Sequence, residues 1–570
     1  MWLMTLFLFS CNSSSAPENI MTSSVVLLTR SQADYDYLMA EQDKTFSTLA
    51  FLPDVNTKPM LANNVFEGKL TISGNPTFSL NYGALNDLPL GYQQWPDFSY
   101  EFIQDNGRLI PVDRGHGFVG DGAWSITAGV GAVWDEVTDD GYSRAAFPYT
   151  IKENNANCEV NGLATFLFKN DGSISKVHIQ NVAETCKFYG FEFYGTLNAQ
   201  YEKHNISNKT QVITRRNKEE AGHFPTKPLT ELAIDYPGVE LANYAYAIAP
   251  EDLNGYSVLV NGTSYIAGCT TRYGNHPYCS EKTIGLYSFT KSIHGFMVVA
   301  AIEKQYPGFK SQLIKGLVPE CSDSRWDKVT VEHALDMATG NYQSPIFQLD
   351  EASKEIVQHY FLPTSRKVRA NFACNGWPKQ VSPGTYSVYH TTDTELVGYA
   401  ATAYVKLKLG DDAEAFNDIL VPLYDELNLS HYLRGIQRTS DTNDAWGGYG
   451  LSATVNDVIR IAQYIRDEAI DGELLDATMV SESLTPQPQG LPLNGDYLSY
   501  NNGFWRLHVG TTTKMSVCGA KTQIPMMSGF GGHALLILPE VIVTQFTDSG
   551  ALGMIETVND IFSHISNSCP

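Results

Sequence analysis

Ser288 and Lys291 stand three residues apart in Tyr287-Ser288-Phe289-Thr290-Lys291-Ser292, directly before the apolar run Ile293-His294-Gly295-Phe296-Met297-Val298-Val299-Ala300-Ala301. On a helix that spacing puts both side chains on one face. A hydroxyl beside a partly desolvated amine is an activated nucleophile, and its chemistry is attack on an acyl group. The start of a helix adds free amides and the positive end of a dipole, both useful near an alkoxide. A helix cap with a surface lysine is the plain alternative. The other Ser-x-x-Lys match, Ser173-Ile174-Ser175-Lys176, follows an Asp-Gly turn in an expected strand. There an odd spacing sends the two side chains to opposite faces.

A second reacting group comes from Pro383-Gly384-Thr385-Tyr386-Ser387-Val388-Tyr389-His390-Thr391, a loop that runs into the helical pattern beginning near Thr394. By itself Tyr389 reads as a loop aromatic covering the core. A third stretch, Gly447-Gly448-Tyr449-Gly450-Leu451-Ser452-Ala453-Thr454-Val455-Asn456-Asp457, opens another helix, capped by the hydroxyl of Ser452 or Thr454. A fourth, Pro525-Met526-Met527-Ser528-Gly529-Phe530-Gly531-Gly532-His533, is a Gly-rich turn followed by the strand Ala534 to Leu538. In this order the four blocks resemble the serine β-lactamase-like hydrolases. That superfamily holds class C β-lactamases, D-alanyl-D-alanine carboxypeptidases, family VIII esterases and 6-aminohexanoate-dimer hydrolases.

The resemblance spans roughly 225–570 and implies an α+β fold: an antiparallel sheet flanked by helices, with a helical insert. It implies Ser288 as nucleophile, Lys291 as base and Tyr389 as a member of the same proton network. The oxyanion would be held by the amide of Ser288 and one near Gly529 or Phe530, on an edge strand. Thr391, Ser528 and His533 are the further candidates for contact with substrate. Two departures matter. His390 and Thr391 stand where the family carries serine and asparagine. Met527 or Ser528 stands where it carries a cation, and Lys521-Thr522-Gln523 lacks the glycine and lies early. Losing that cation weakens recognition of a substrate carboxylate. The implied reaction is cleavage of an ester or amide through an acyl-serine. D-amino-acid amidase, carboxypeptidase or β-lactamase activity is the alternative, as is a binding protein that kept the fold without the chemistry.

Other groups carry less. Asp441, Asn443 and Asp444 read as a turn rather than a cation site, and Tyr500-Asn501-Asn502 as a turn before a strand. His294 is expected as a satisfied, semi-buried histidine. The chain has neither G-x-S-x-G nor H-E-x-x-H. Neither cofactor nor metal is expected.

These groups need a large scaffold. At 570 residues the chain exceeds one ordinary domain. Phe66 to about Tyr201 shows strands broken by Gly, Asn and Asp, including a hairpin of Gly162 to Phe168 with Ser175 to Ile179. Its aromatics Trp95, Phe98, Tyr100 and Trp124 read as core and sheet-face residues. The expected organisation is a leader at 1–20, a polar stretch with a short helix at 21–65, a β-rich domain at 66–210, a solvated connector at 211–224 and the hydrolase domain at 225–570. In the last, a strand pair near Tyr256 to Ala267 and strands after Gly503 bracket the helices. First and last strands are expected to join one antiparallel sheet.

A net charge of −23, from 39 basic and 62 acidic residues, argues against a phosphate-backbone binder. The expected partner is a small-molecule or short peptide-like substrate. Nine cysteines without a C-x-x-C pair read as disulfides, with Cys158–Cys186 and Cys269–Cys279 paired by proximity. Met1 to Ser10 is apolar and ends at Cys11, like the end of a bacterial lipoprotein signal. Export to the periplasm or attachment to the outer membrane through Cys11 is therefore expected. No later stretch is long and apolar enough to span a membrane.

Overall fold

The computed structural model describes residues 34–40, 62–83, 91–114, 122–246, 248–271, 274–485, 491–494, 498–509 and 522–566. The apolar N-terminal run, Cys11, Lys521, Cys518 and Cys569 lie outside the described residues. So does most of the 21–65 stretch expected to hold a short helix, of which one helical turn, Tyr35–Leu38, is described.

Ten strands form the first sheet: β1 (Glu67–Ser73), β2 (Thr77–Tyr82), β3 (Phe98–Asp105), β4 (Arg108–Pro111), β5 (Trp124–Ala128), β6 (Gly131–Asp135), β7 (Ser143–Glu153), β8 (Glu159–Phe168), β9 (Val177–Glu184) and β10 (Gly190–Lys203). The path β1-β3-β4-β6-β7-β8-β9-β10 closes through a β1–β10 ladder, so the sheet is a barrel without a free edge along that path. The hairpin expected around 162–179 is the β8–β9 ladder. Phe98 and Trp124 are core residues with Phe66, Phe102, Phe147 and Phe166, and Trp95 and Tyr100 pack against them.

Helix α1 (Lys209–Ala221) leads out of the barrel. Its residues 214–220 were expected as solvated, yet Arg216 and Glu219 are buried. The reason is a shared polar core between the two sheets. Arg114 of the barrel pairs with Glu219, Arg216 pairs with Glu281 at 2.7 Å, and the Tyr432 hydroxyl donates to Glu281 at 3.0 Å.

The second sheet has nine strands: β11 (Thr226–Pro228), β12 (Leu253–Val260), β13 (Thr263–Ala267), β14 (Leu491–Asn494), β15 (Leu498–Asn501), β16 (Phe504–Val509), β17 (Thr522–Gly529), β18 (His533–Ile537) and β19 (Val541–Thr547). Their order is β11-β13-β12-β19-β18-β17-β16-β15-β14. β12 lies antiparallel to β19, so the first long strand and the last are neighbours, as expected; among the described residues only the short β11 is parallel to its partner. The expectation of an edge position for the 525–529 strand is corrected: β17 lies inside the sheet between β16 and β18. The antiparallel β14–β16 segment extends the sheet beyond it.

Strand alternation sorts the core. Leu259, Met527, Leu535 and Ile542 face one layer, and their neighbours Val258, Met526, Leu536 and Val543 face the other. The first layer holds α2, which opens as a wide π turn over Lys291–Phe296 and continues through Met297–Gln305. It also holds α3 (Arg366–Asn375), α4 (Thr391–Leu409) and α5 (Val455–Asp471). Helix α6 (Met554–His564) covers the second layer with Val558 and Ile561. Thr454 caps α5 in a reciprocal arrangement with Asp457. Ser452, the other cap expected there, instead sits in a two-residue strand paired with Ile284–Gly285.

Three disulfides are present among the described residues. Cys158–Cys186 and Cys269–Cys279 are the two expected pairs, and Cys321–Cys374 is a third, bridging 53 residues.

Candidate active site

Ser288 lies in the turn that enters α2, and its position is set by what comes before it. Tyr287 adopts φ +46°, a conformation that costs a bulky residue about 1–3 kcal/mol. The barrel holds it there. The Tyr287 N–H donates to Asn157 Oδ1 at 3.1 Å, and its hydroxyl donates to the Thr185 carbonyl at 3.3 Å. Asn157 also accepts from the Gly450 N–H at 2.8 Å and donates to the Leu451 carbonyl at 3.2 Å. Gly285 makes this approach possible, since a Cβ there would lie 1.9 Å from the Asn157 carbonyl oxygen.

After this turn the first helical residues present Lys291 back toward Ser288. Lys291 Nζ donates to Ser288 Oγ at 2.8 Å and to the Gly448 carbonyl at 2.8 Å. The Tyr389 hydroxyl donates to Ser288 Oγ at 2.8 Å, across 101 residues of chain. The lysine ammonium also sits 5.2 Å from the Tyr389 ring centroid. Lys291 is 1% exposed. Burial pulls its pKa down to about 8, against the opposing fields of Glu351 and Glu395. Burial, with Glu351, lifts the Tyr389 phenol far above its usual range, so it keeps its proton at neutral pH.

The phenol is held in place by its ring. Trp505 stacks on Tyr389 at 5.0 Å and 27°, and Tyr500 meets it edge-on at 6.4 Å. The strap before it is tied down by Val388 N–H to the Met337 carbonyl at 2.9 Å and Ser387 Oγ to the Asp336 carbonyl at 2.8 Å.

Gly448, whose carbonyl receives the lysine, is positioned by a buried carboxylate. Glu395 accepts from the Gly447 N–H at 2.9 Å and the Gly448 N–H at 3.3 Å. It pairs with Arg369 at 3.0 Å, both side chains being fully buried. The guanidinium lies 3.9 Å from the Trp446 ring centroid and 4.2 Å from that of Tyr360. Gly448, Glu395, Arg369 and Asn157 were not singled out from sequence. Their only signal there was a pair of glycines, since each acts through a contact far along the chain.

The remaining candidates fall in four places. Thr391 faces Glu351: its N–H donates to Glu351 Oε2 at 2.9 Å, and its hydroxyl bonds the same carboxylate. His390 is buried, stacked on Trp377 at 4.9 Å and bonded to Asp350 at 3.0 Å. Gly529 ends β17 against the nucleophile turn, where a Cβ would lie 2.8 Å from the Leu286 carbonyl oxygen. Phe530 follows, 5.7 Å from the Tyr287 ring. Ser528 donates to the His533 carbonyl at 3.2 Å. His533 is buried behind the turn rather than lining an open cleft. Its ring lies 5.6 Å from Tyr287 and 5.2 Å from Phe546, and burial pulls its pKa down to about 4. Asp441 is occupied by Ser365 Oγ at 2.6 Å and the Arg366 N–H at 2.6 Å. His294 is buried as well, with a pKa drawn down to about 4 by desolvation.

A hydroxyl gripped by a buried amine and a protonated phenol has a route for its proton and a means of returning one. Several solved structures match the chain remotely. A putative 6-aminohexanoate-dimer hydrolase from Bacillus anthracis matches 59% of this chain and 81% of its own, at 17% identity and a TM-score of 0.41. A class C β-lactamase matches 65% and 100%, at 15% identity and a TM-score of 0.40. A penicillin-binding protein homolog from Caulobacter crescentus matches 54% and 91%, at 15% identity and a TM-score of 0.39. These are remote likenesses in fold alone. No family model matches the chain, and no curated protein matches it in sequence.

Proposed function

We propose that the protein is a serine hydrolase that cleaves an ester or amide through an acyl-serine at Ser288. The reading rests on one observation: Ser288 Oγ receives 2.8 Å hydrogen bonds from both Lys291 and Tyr389. Lys291, once neutral, accepts the Ser288 proton as Oγ forms its bond to the substrate carbonyl carbon. The negative oxygen that results is held by the Ser288 N–H and by an amide at the Gly529–Phe530 end of β17. The carbon–heteroatom bond then breaks, and the leaving alcohol or amine takes its proton through Tyr389. Water repeats the sequence on the acyl-serine and releases the acid.

Neutral esters and amides fit better than substrates with a carboxylate next to the scissile bond. Met527 is buried and Ser528 carries no charge, so β17 offers no cation there. This ranks the amidase, carboxypeptidase and β-lactamase readings second. The functional unit is assigned to 225–570 and the barrel unit to 66–210. Export is proposed as well, supported by three disulfides, which persist in oxidising compartments. Attachment to a membrane would then fall to Cys11, since no helix among the described residues is long and apolar enough to cross one.

A fluorophosphonate probe and a labelled penicillin test the assignment. Fluorophosphonate labelling that disappears in Ser288→Ala is the expected result. Penicillin labelling would move the assignment to peptidoglycan-type substrates. No labelling by either leaves a binding protein.

A further inference from the structure

The barrel reaches the turn before Ser288 through two loops, Asn157 between β7 and β8 and Thr185 to Phe188 between β9 and β10. Cys186 in the second loop is joined to Cys158, and its carbonyl accepts from the Tyr82 hydroxyl. The Thr185 carbonyl accepts from the hydroxyl of Tyr287, the residue before the nucleophile. Phe188 then stacks on Phe530 at 5.0 Å and 14°. Phe530 in turn lies 5.7 Å from the Tyr287 ring. Both anchors of the loop therefore converge on the two segments that flank Ser288.

Phe188 is 52% exposed although its loop is cross-linked and hydrogen-bonded. Its contact with Phe530 leaves much of the side chain facing solvent, open to a further contact. Lys187 beside it is exposed too, its ammonium 6.0 Å from the Phe530 ring. The parallel, offset pair is a ready platform for a third flat ring or an extended apolar chain.

We propose that Phe188, carried by the barrel, is a specificity-determining residue that recognises an aromatic group in the substrate's acyl part. This rests on the serine-hydrolase reading and deepens it by naming a substrate class. The barrel then completes the binding site instead of merely preceding it. An acyl group attached at Ser288 extends along Tyr287 and Phe530, and its ring packs on the edge left open by Phe188. Esters of small acids reach no such surface and gain nothing from it.

The test compares p-nitrophenyl phenylacetate with p-nitrophenyl acetate in wild type, Phe188→Ala and Phe188→Tyr. Because Phe188 is exposed, neither change threatens folding. In Phe188→Ala, KM for the phenylacetate ester is expected to rise about tenfold, the worth of one lost aromatic contact. Its kcat should hold, both constants for the acetate ester should move less than about twofold, and Phe188→Tyr should restore wild-type values. Equal changes for both esters, or no wild-type preference for the aromatic one, overturn the proposal. Calorimetric titration with phenylacetate keeps the two readings apart. If neither ester is hydrolysed and the fluorophosphonate leaves Ser288 untouched, the hydrolase assignment fails. Phenylacetate binding that is lost in Phe188→Ala still supports the aromatic site, and its absence in wild type overturns it.

Discussion

A lysine acts as a base near neutrality only where its ammonium is poorly solvated, and Lys291 meets that condition through its burial. Below about pH 8 it carries a proton and cannot take the one on Ser288; above, it can. The rate constant for fluorophosphonate labelling should therefore climb from pH 6, inflect near 8 and level off. A stopped-flow or gel-based pH series reads it, and a flat profile would remove Lys291 from the chemistry. Lys291→Ala should slow labelling by about 10²–10⁴-fold and abolish the inflection. Tyr389→Phe keeps the stack on Trp505 but loses the hydroxyl. It is expected to slow turnover of amides more than of activated esters, because a poor leaving group depends more on the returned proton. Comparing p-nitrophenyl acetate with an anilide measures the split.

At the scale of elements, the site is where several segments meet. The meeting of Ser288 with Lys291 was legible from sequence because their spacing is local. Tyr389 was legible only through the Pro-Gly loop that resembles a known family. The contacts that hold these groups were not, because they join distant segments: Asn157 to Tyr287, Glu395 to Gly448, Trp505 to Tyr389. The long helices and the β12–β19 pairing followed their hydrophobic patterns. The interior place of β17 did not, since nothing local marks how many strands are added beyond it. Residues 214–220 misled for a related reason: their charge suggests a solvated face, and only the partners Arg114 and Glu281 explain burial. Among these supports the Arg369–Glu395 pair is the most exacting. Glu395→Gln strands a buried guanidinium and should cost about 3–5 kcal/mol in urea unfolding. It should also loosen the Gly447–Gly448 turn, so labelling falls even where the fold survives. An unchanged midpoint would remove the pair's structural role.

Across the whole molecule, the Cys158–Cys186 link stands between the barrel and the nucleophile, because Asn157 and Thr185 are its immediate neighbours. Replacing both cysteines by alanine should cost about 3–4 kcal/mol for a loop of this length on the chain-entropy view. It should also slow labelling of Ser288 without altering its dependence on pH, since Lys291 keeps its surroundings. Thermal unfolding and the same probe check both halves, and a destabilised protein with an unchanged labelling rate would confine the disulfide to stability.

The adjacency of β12 and β19 has a consequence in time. A chain still leaving the ribosome holds Leu253–Val260 long before Val541–Thr547 exists to lie beside it. Until those last strands emerge, the layer under α2 is unfinished and the lysine stays wet. The proposed hydrolase would stay silent during its own synthesis until Val541–Thr547 has been made.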